Sequence, residues 1–296
     1  MIPYTTKRRF PIMRSFLLCL AVASIIVCNM ACNPRHESRC ASAAPPAEER
    51  REITENLRQE PVPQKRGPAS VTITVYFHIL TSKDGTGDVS DDVVRRQIDL
   101  LNNAFAGGFG GAATPFQFKL ADVDGIDRTA NNEWFDIVFL DKPSDMERTV
   151  KRTLNKGDKS VLNIYTANLS GVVLGWARWP WDLADGVDGV VIGFQTLPGG
   201  TILNRGEGDT LVHEVGHWLG LFHTYEGACD DRGDEVADTN SEGSPGGDCE
   251  AEDTCPDSSG FDPVENFMDD SHDDCRFLFT PGQSDRMDAM HLAYRT

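Results

Sequence analysis

His213 and His217 stand four residues apart, with Glu214 beside the first, and His223 follows Gly220, in the stretch DTLVHEVGHWLGLFHTYEG from Asp209 to Gly227. Side chains spaced by four lie on one face of an α-helix, one turn above the other, so both imidazoles can reach a single metal ion. Glu214 is offset around the helix and points beside that ion, where it can hold a water. Gly220 lets the helix end in a left-handed turn, and His223 can then return with a third nitrogen. Three neutral nitrogens and one open position describe a catalytic zinc site. Zinc in such a site lowers the pKa of water toward ~7. A bare HExxH can arise by chance on a solvated helix, but HExxHxxGxxH is far more demanding. Leu211, Val215, Trp218, Leu219 and Leu221 are read as the packing residues of this helix and receive no chemistry.

A helix of this kind must be held in a folded body, and the chain is long enough for one. Its 296 residues, 40% hydrophobic and 25% charged, suffice for one sizeable core, or for one domain with a tail. The net charge of −18 argues against nucleic acid and against an anionic membrane surface as partners. Much of the acid is local, between Asp230 and Asp274.

The N-terminus reads as targeting. Lys7, Arg8, Arg9 and Arg14 precede the apolar run FLLCLAVASIIV, Phe16 to Val27. That run is short for a transmembrane span and suits the core of a signal peptide. ASA at Ala41 to Ala43 resembles a cleavage site, and NMAC ending at Cys32 offers a weaker lipoprotein alternative. The expected division is a signal peptide over 1–31, a linker or short prosegment over 32–68 and a catalytic domain over 69–296. Export follows on either cleavage reading, with a lipid anchor at the cell envelope as the minor alternative and no transmembrane span.

Cys19, Cys28, Cys32 and Cys40 lie in or near the targeting segment, whereas Cys229, Cys249, Cys255 and Cys275 lie in an acidic, glycine-rich region late in the chain. In an exported protein the second set reads as two disulfides, in any of three pairings. A zinc knuckle is the weaker reading, because no CxxC pair is present.

Along the chain, Ala41 to Pro68 is rich in Ala, Pro, Glu and Arg and has no long apolar periodicity. SVTITVYFHIL, from Ser70, alternates and reads as a strand. Ser90 can cap a helix with Val93, Ile98, Leu101 and Phe105 as its apolar stripe, ended by Gly107 and Gly108. FQFKLADV, KSVLNIYTAN, GVVLGWARWPW and DGVVIGFQTL supply further strands, and TPGQSDRMDAMHLAYR is a C-terminal helix with Pro281 near its start.

The zinc motif resembles that of the metzincin metalloproteases. ENFMDDSHDDC, Glu265 to Cys275, is similar to their methionine turn, with Met268 as the methionine. DTLVHEVGHWLGLFHTYEG, DTCP, DPVENFMD, the cysteine after that turn and FTPGQSDRM narrow the resemblance to the pappalysin family, over about Val71 to Thr296. The resemblance implies a zinc endopeptidase of α+β class. A twisted mixed sheet with a backing helix and the active-site helix forms the upper part. An irregular, disulfide-bonded C-terminal subdomain with the Met-turn and a terminal helix forms the lower part. It further implies the pairs Cys229–Cys255 and Cys249–Cys275, Glu214 as general base, and LGWARWP as the sheet edge that pairs with substrate. That edge could equally be an ordinary one with exposed tryptophans. One position departs from the family: two residues after the Met, where a Tyr is usual, stands Asp270. An ionised aspartate cannot donate to an oxyanion.

Four further expectations attach to particular residues. Asp234 and Asp238, on glycine-rich acidic turns, are candidate calcium ligands, against a plain solvated loop. Asp274, helped by Asp273 and Asp270, is expected at the base of a pocket on the primed side of the scissile bond, selecting Arg or Lys. Cys40 could ligate the zinc in a latent precursor, against removal during export. His78, His272 and His291 are read as packing or surface residues. The chain is expected to act as a monomer on protein or peptide substrates. The rival readings are a zinc-bearing binding or adhesion module that no longer cuts, and an enzyme acting on a small amide.

Overall fold

A computed structural model describes residues 39–59, 66–138, 143–169, 173–183, 186–230, 232–258 and 260–296. The chain divides into a unit of residues 1–33 and a unit of residues 34–296, and every described residue belongs to the second. The targeting run and Cys19, Cys28 and Cys32 lie outside the described residues.

The sheet is built around β1 (Val71–Thr81), whose Val75, Phe77 and Ile79 are fully buried. One side of β1 carries two parallel strands end to end: β2 (Phe116–Leu120) along Val71 to Val75, then β3 (Ile126–Ala130) along Phe77 to Thr81. The other side carries β4 (Leu162–Ala167), and β6 (Val190–Gly193) pairs parallel beyond it. Every residue of β4 and β6 is buried, as expected for parallel strands covered on both faces. β5 (Gly175–Ala177) closes the sheet antiparallel to β6, giving the order β2-β1-β4-β6-β5.

The backing helix α2 (Asp91–Phe105) starts where Ser90 accepts the Val93 N–H at 3.4 Å. Val94, Ile98, Leu101 and Phe105 bury its apolar stripe, with Val94 taking the place expected of Val93. α5 (Asp209–Trp218) is the motif helix and is buried along its whole length. Gln97 of α2 donates to the Gly208 carbonyl at 2.9 Å and fixes where α5 begins. After α5 the described chain is irregular until α6 (Pro281–Tyr294), which opens on a capping box between Thr280 and Gln283. Cys229–Cys255 and Cys249–Cys275 are disulfides with Cα–Cα distances of 5.4 Å and 5.6 Å.

Several elements carry no legible pattern. The linker region holds α1 (Ala47–Gln59), which buries only Arg50, Ile53 and Thr54. Polar contacts dock it: Arg50 to Glu226 at 3.3 Å, and Arg286 donating to Thr54 at 2.9 Å. β3 has no buried residue, so its alternation is invisible. The short α3 (Asn132–Phe135) and α4 (Asp145–Leu154) open on the capping side chains Asn131 and Ser144; α3 buries Phe135, and Met146, Val150 and Leu154 of α4 pack into the core among charged neighbours.

Candidate active site

α5 presents His213 and His217 from consecutive turns, and Gly220 at φ 91° reverses the chain so that His223 meets them. The Nε2 atoms of His213 and His217 are 3.0 Å apart, and those of His217 and His223 are 3.1 Å apart. These are not hydrogen bonds. His213 and His217 turn Nδ1 to the backbone carbonyls of Phe267 and Leu221, each at 2.7 Å, which puts their protons on Nδ1. Their Nε2 lone pairs therefore face one another in a buried space. Burial holds both imidazoles well below the usual histidine range, so they are neutral. Converging neutral nitrogens with oriented tautomers fit a zinc ion.

The floor is the Met-turn. Met268 is fully buried, and a Cβ at Gly216 would sit 2.4 Å from its Sδ. Gly216, between the two helical histidines, is thus the residue that lets the methionine approach the ligands. The same turn supplies the Phe267 carbonyl to His213.

Glu214 is buried on the side facing β5, where burial pushes its carboxyl up to about 8. A Cβ at Gly175 would lie 3.0 Å from its Oε1, so the edge strand must be bare at this point. Behind the sheet, Trp176 and Arg178 both donate to Glu147 of α4, which also pairs with Lys151 at 3.0 Å. Lys151 in turn donates to the Val187 carbonyl at 2.9 Å. These charges hold the edge strand in place. The tryptophans of LGWARWP are not exposed: Trp176 and Trp179 are buried, and Trp179 meets His217 edge-on.

Residues 39–43 lie across this site. Cys40 forms a parallel bridge with Gly175, flanked by Leu174 N–H to the Arg39 carbonyl at 2.8 Å and Ala41 N–H to the Gly175 carbonyl at 3.0 Å. The Cys40 Sγ and one nitrogen from each of His213, His217 and His223 lie within 4.8 Å of one another. Ser42 donates to Glu214 Oε2 at 3.0 Å and accepts from Ala177 N–H at 2.8 Å. Only about 10 Å³ remains between this segment, Glu214 and Asp270, too little for a substrate side chain.

The chain is similar to proteins with this arrangement. The family described as pregnancy-associated plasma protein-A, Peptidase M43, matches residues 141–291. An extracellular metalloprotease of Podospora anserina is 36% identical over 236 residues, covering 76% of this chain and 75% of its own length. One of Neurospora crassa is 32% identical over 294 residues, covering 95% and 97%. The chain belongs to the pappalysin family. It is a zinc metalloendopeptidase with the metzincin fold. Mature mirolysin of Tannerella forsythia, solved with a cleaved peptide, superposes with a TM-score of 0.61 at 28% identity, covering 74% of this pappalysin and 90% of mirolysin. A promirolysin variant superposes at 0.69 with 25% identity, covering 86% and 94%.

The remaining candidates of this pappalysin are distributed around the cleft. Asp270 is buried, its Oδ2 accepting from Arg39 N–H at 3.1 Å and from the Tyr225 hydroxyl at 3.0 Å. Asp274 is not at a buried base: it is exposed and lines the wall of a cavity of about 640 Å³ with residues 198–204, 206 and 207. Asp273 adds little free charge, because it pairs with buried Arg276 at 2.7 Å and accepts from Glu207 N–H. Asp238 spends one carboxylate oxygen on Thr280 and the other on Gly282 N–H, so it caps α6. Asp234 is buried, its carboxyl pushed up to about 7 by burial, with Oδ1 bonded to Val236 N–H and Thr239. Its Oδ2 has no hydrogen-bond partner among the described residues. His78 is buried between Asp127 and Asn163, both at 2.9 Å, and His291 is buried against Phe116. His272 is half-buried beside Asn204. The sequence assigns no role of their own to Ser42, Gly175, Gly216 and Tyr225, although Ser42 lies in ASA, Gly175 in LGWARWP, and Gly216 and Tyr225 in the motif stretch.

Proposed function

We propose that this chain is exported as a latent precursor whose mature form, acting as a monomer, cuts proteins before Arg or Lys. One observation carries the reading: three imidazole nitrogens converge beside the buried carboxylate of Glu214, under the edge strand β5 that residues 39–41 cover. His213, His217 and His223 are the zinc ligands. Zinc, when bound, polarises the scissile carbonyl and acidifies water. Glu214 accepts the proton of the attacking water and returns it to the leaving amine. The Leu174 N–H and Gly175 carbonyl, engaged by residues 39 and 41 in the precursor, become free to pair with an extended substrate. The test is zinc content with peptide-library cleavage by the purified protein: casein left intact by the zinc-loaded mature form would refute it.

Residues 32–68 serve as the prosegment in this reading, with Cys40 as the group that covers the zinc. The extra coverage of the promirolysin variant over mature mirolysin, 86% against 74% of this chain, supports it. Export is supported by the charged and apolar N-terminal pattern and by relatives named extracellular metalloproteases.

Arg or Lys preference rests on Asp274 at the wall of the 640 Å³ cavity. Because this carboxylate is exposed, its attraction is partly screened, and Asp274→Ala is expected to lower kcat/KM for Arg substrates about twofold to fivefold. Apolar residues should then rise in the library. Leu or Phe dominating after the scissile bond in the unaltered enzyme would exclude the assignment.

Calcium binding is assigned to the cleft around Asp234, whose buried, unpartnered Oδ2 suits a hard cation. At a hundredfold over Kd the stabilisation is about 2.7 kcal/mol, or roughly 5–10 °C in Tm for a domain of this size. Millimolar calcium should produce that shift in the parent and not in Asp234→Asn. A melting curve that calcium leaves in place removes the site.

A further inference from the structure

Charge develops on the carbonyl oxygen as water adds, and a site that stabilises it needs a positioned donor. The groups so far described do not offer one. Glu214 and Asp270 are acceptors when ionised. The guanidinium of Arg205 is turned to the carbonyls of Asp270 and Ser271, and that of Arg276 to the Asp269 carbonyl and Asp273.

We propose that the phenol of Tyr225 donates a hydrogen bond to that oxygen, with Asp270 as the residue that positions it. Two contacts place Tyr225. Its ring stacks on the His223 imidazole, with centroids 4.6 Å apart and planes at 11°, so the third zinc ligand locates the ring. Its hydroxyl donates to Asp270 Oδ2 at 3.0 Å, the same oxygen that accepts the Arg39 N–H of the covering segment. Asp270 lines the small space at Cys40 and Glu214, so the hydroxyl stands beside the ground that Arg39 and Cys40 occupy. When that segment leaves, Asp270 loses the Arg39 donor and keeps Tyr225. Rotation about the phenolic C–O bond then swings one proton between Asp270 and the substrate oxygen without moving the ring. A neutral carbonyl does not outcompete a carboxylate for that proton, whereas an oxyanion does. The bond is therefore gained mainly in the transition state, where it raises kcat rather than lowering KM. The proton stays on the phenol throughout.

The variants are measured in the zinc-loaded full chain after limited trypsin digestion and, independently, in the Cys40→Ser full chain. Tyr225→Phe keeps the ring stack and zinc content. It should lower kcat about 10–100-fold, less than the ~10²–10³ of a fully preformed donor, because Asp270 releases the proton at a cost. KM should change less than about twofold, and affinity for a phosphinic peptide mimicking the tetrahedral geometry should fall with kcat. Asp270→Ala, which removes the acceptor that aims and competes for this proton, should alter kcat only where the phenol is present and change nothing further in the Tyr225→Phe background. The assignment is overturned if Tyr225→Phe alters kcat less than about twofold. It is equally overturned if the loss appears in KM with mimic affinity intact, or if the two substitutions multiply. Glu214→Ala runs alongside: should that variant retain turnover, the protease chemistry is at fault and not the phenol.

Discussion

Glu214→Ala is expected to leave one zinc per chain and to lower kcat by about 10²–10⁴-fold. The metal survives because nothing that orients the ligands passes through Glu214. His213 and His217 are set by the Phe267 and Leu221 carbonyls, and His223 by the turn at Gly220 and its stack on Tyr225. The loss is large because the neighbouring carboxylates among the described residues are engaged elsewhere, Glu226 with Arg50 and His223 Nδ1. Asp270 is committed to Tyr225, and Asp273 to Arg276. Zinc analysis and single-peptide kinetics on the activated protein decide the matter. A variant that cuts at near-wild-type rate would remove Glu214 from the role of general base.

Cys40→Ser is expected to make the full-length chain more active than the unaltered precursor. On the proposed latency, the gain is set by how much of the covering Cys40 supplies, and each ~1.4 kcal/mol of lost covering raises the open fraction about tenfold. A tenfold rise is the expected order, rather than full activity, because other contacts remain. Residues 39–41 still pair with β5, and Ser42 still occupies Glu214. α1 still docks through Arg50, whereas the exposed Arg51–Asp230 pair contributes little. Adding Ser42→Ala should raise activity again, since it frees both Glu214 Oε2 and the Ala177 N–H. A Cys40→Ser precursor no more active than its parent would discard the thiol as the latency device. The measurement is peptide turnover by freshly purified, zinc-loaded precursors whose intact length is verified by mass.

Much of the catalytic helix could be read directly because its chemistry is periodic. A four-residue spacing has one geometric meaning on a helix, and a glycine before His223 has one meaning at a reversal of the chain. The buried strands were legible for the same reason, since β1, β4 and β6 are apolar runs between turn residues. α1 and β3 were not, because little of either is apolar and buried, and the narrow stripe of Met146, Val150 and Leu154 on α4 is set among charged residues. Glu147 and Lys151 of α4 illustrate this: two charges with no exposed surface, paired with each other, with Glu147 also paired to Arg178. In sequence they look like a solvated helix face.

By itself the sequence determined the zinc motif, the helix that carries it and the family, because each depends on residues close together in the chain. Tertiary structure decided the rest of the site. It brought Cys40 and Ser42, more than 160 residues upstream, onto the histidines and Glu214. It moved Asp274 from an expected pocket base to an exposed wall, and turned Asp238 from a candidate cation ligand into a helix cap. It also joined Tyr225 to Asp270, 45 positions apart. The physical reason is the same in each case. A side chain's type is local, but whether its charge is paired, buried or aimed at a substrate depends on which distant segment folds against it.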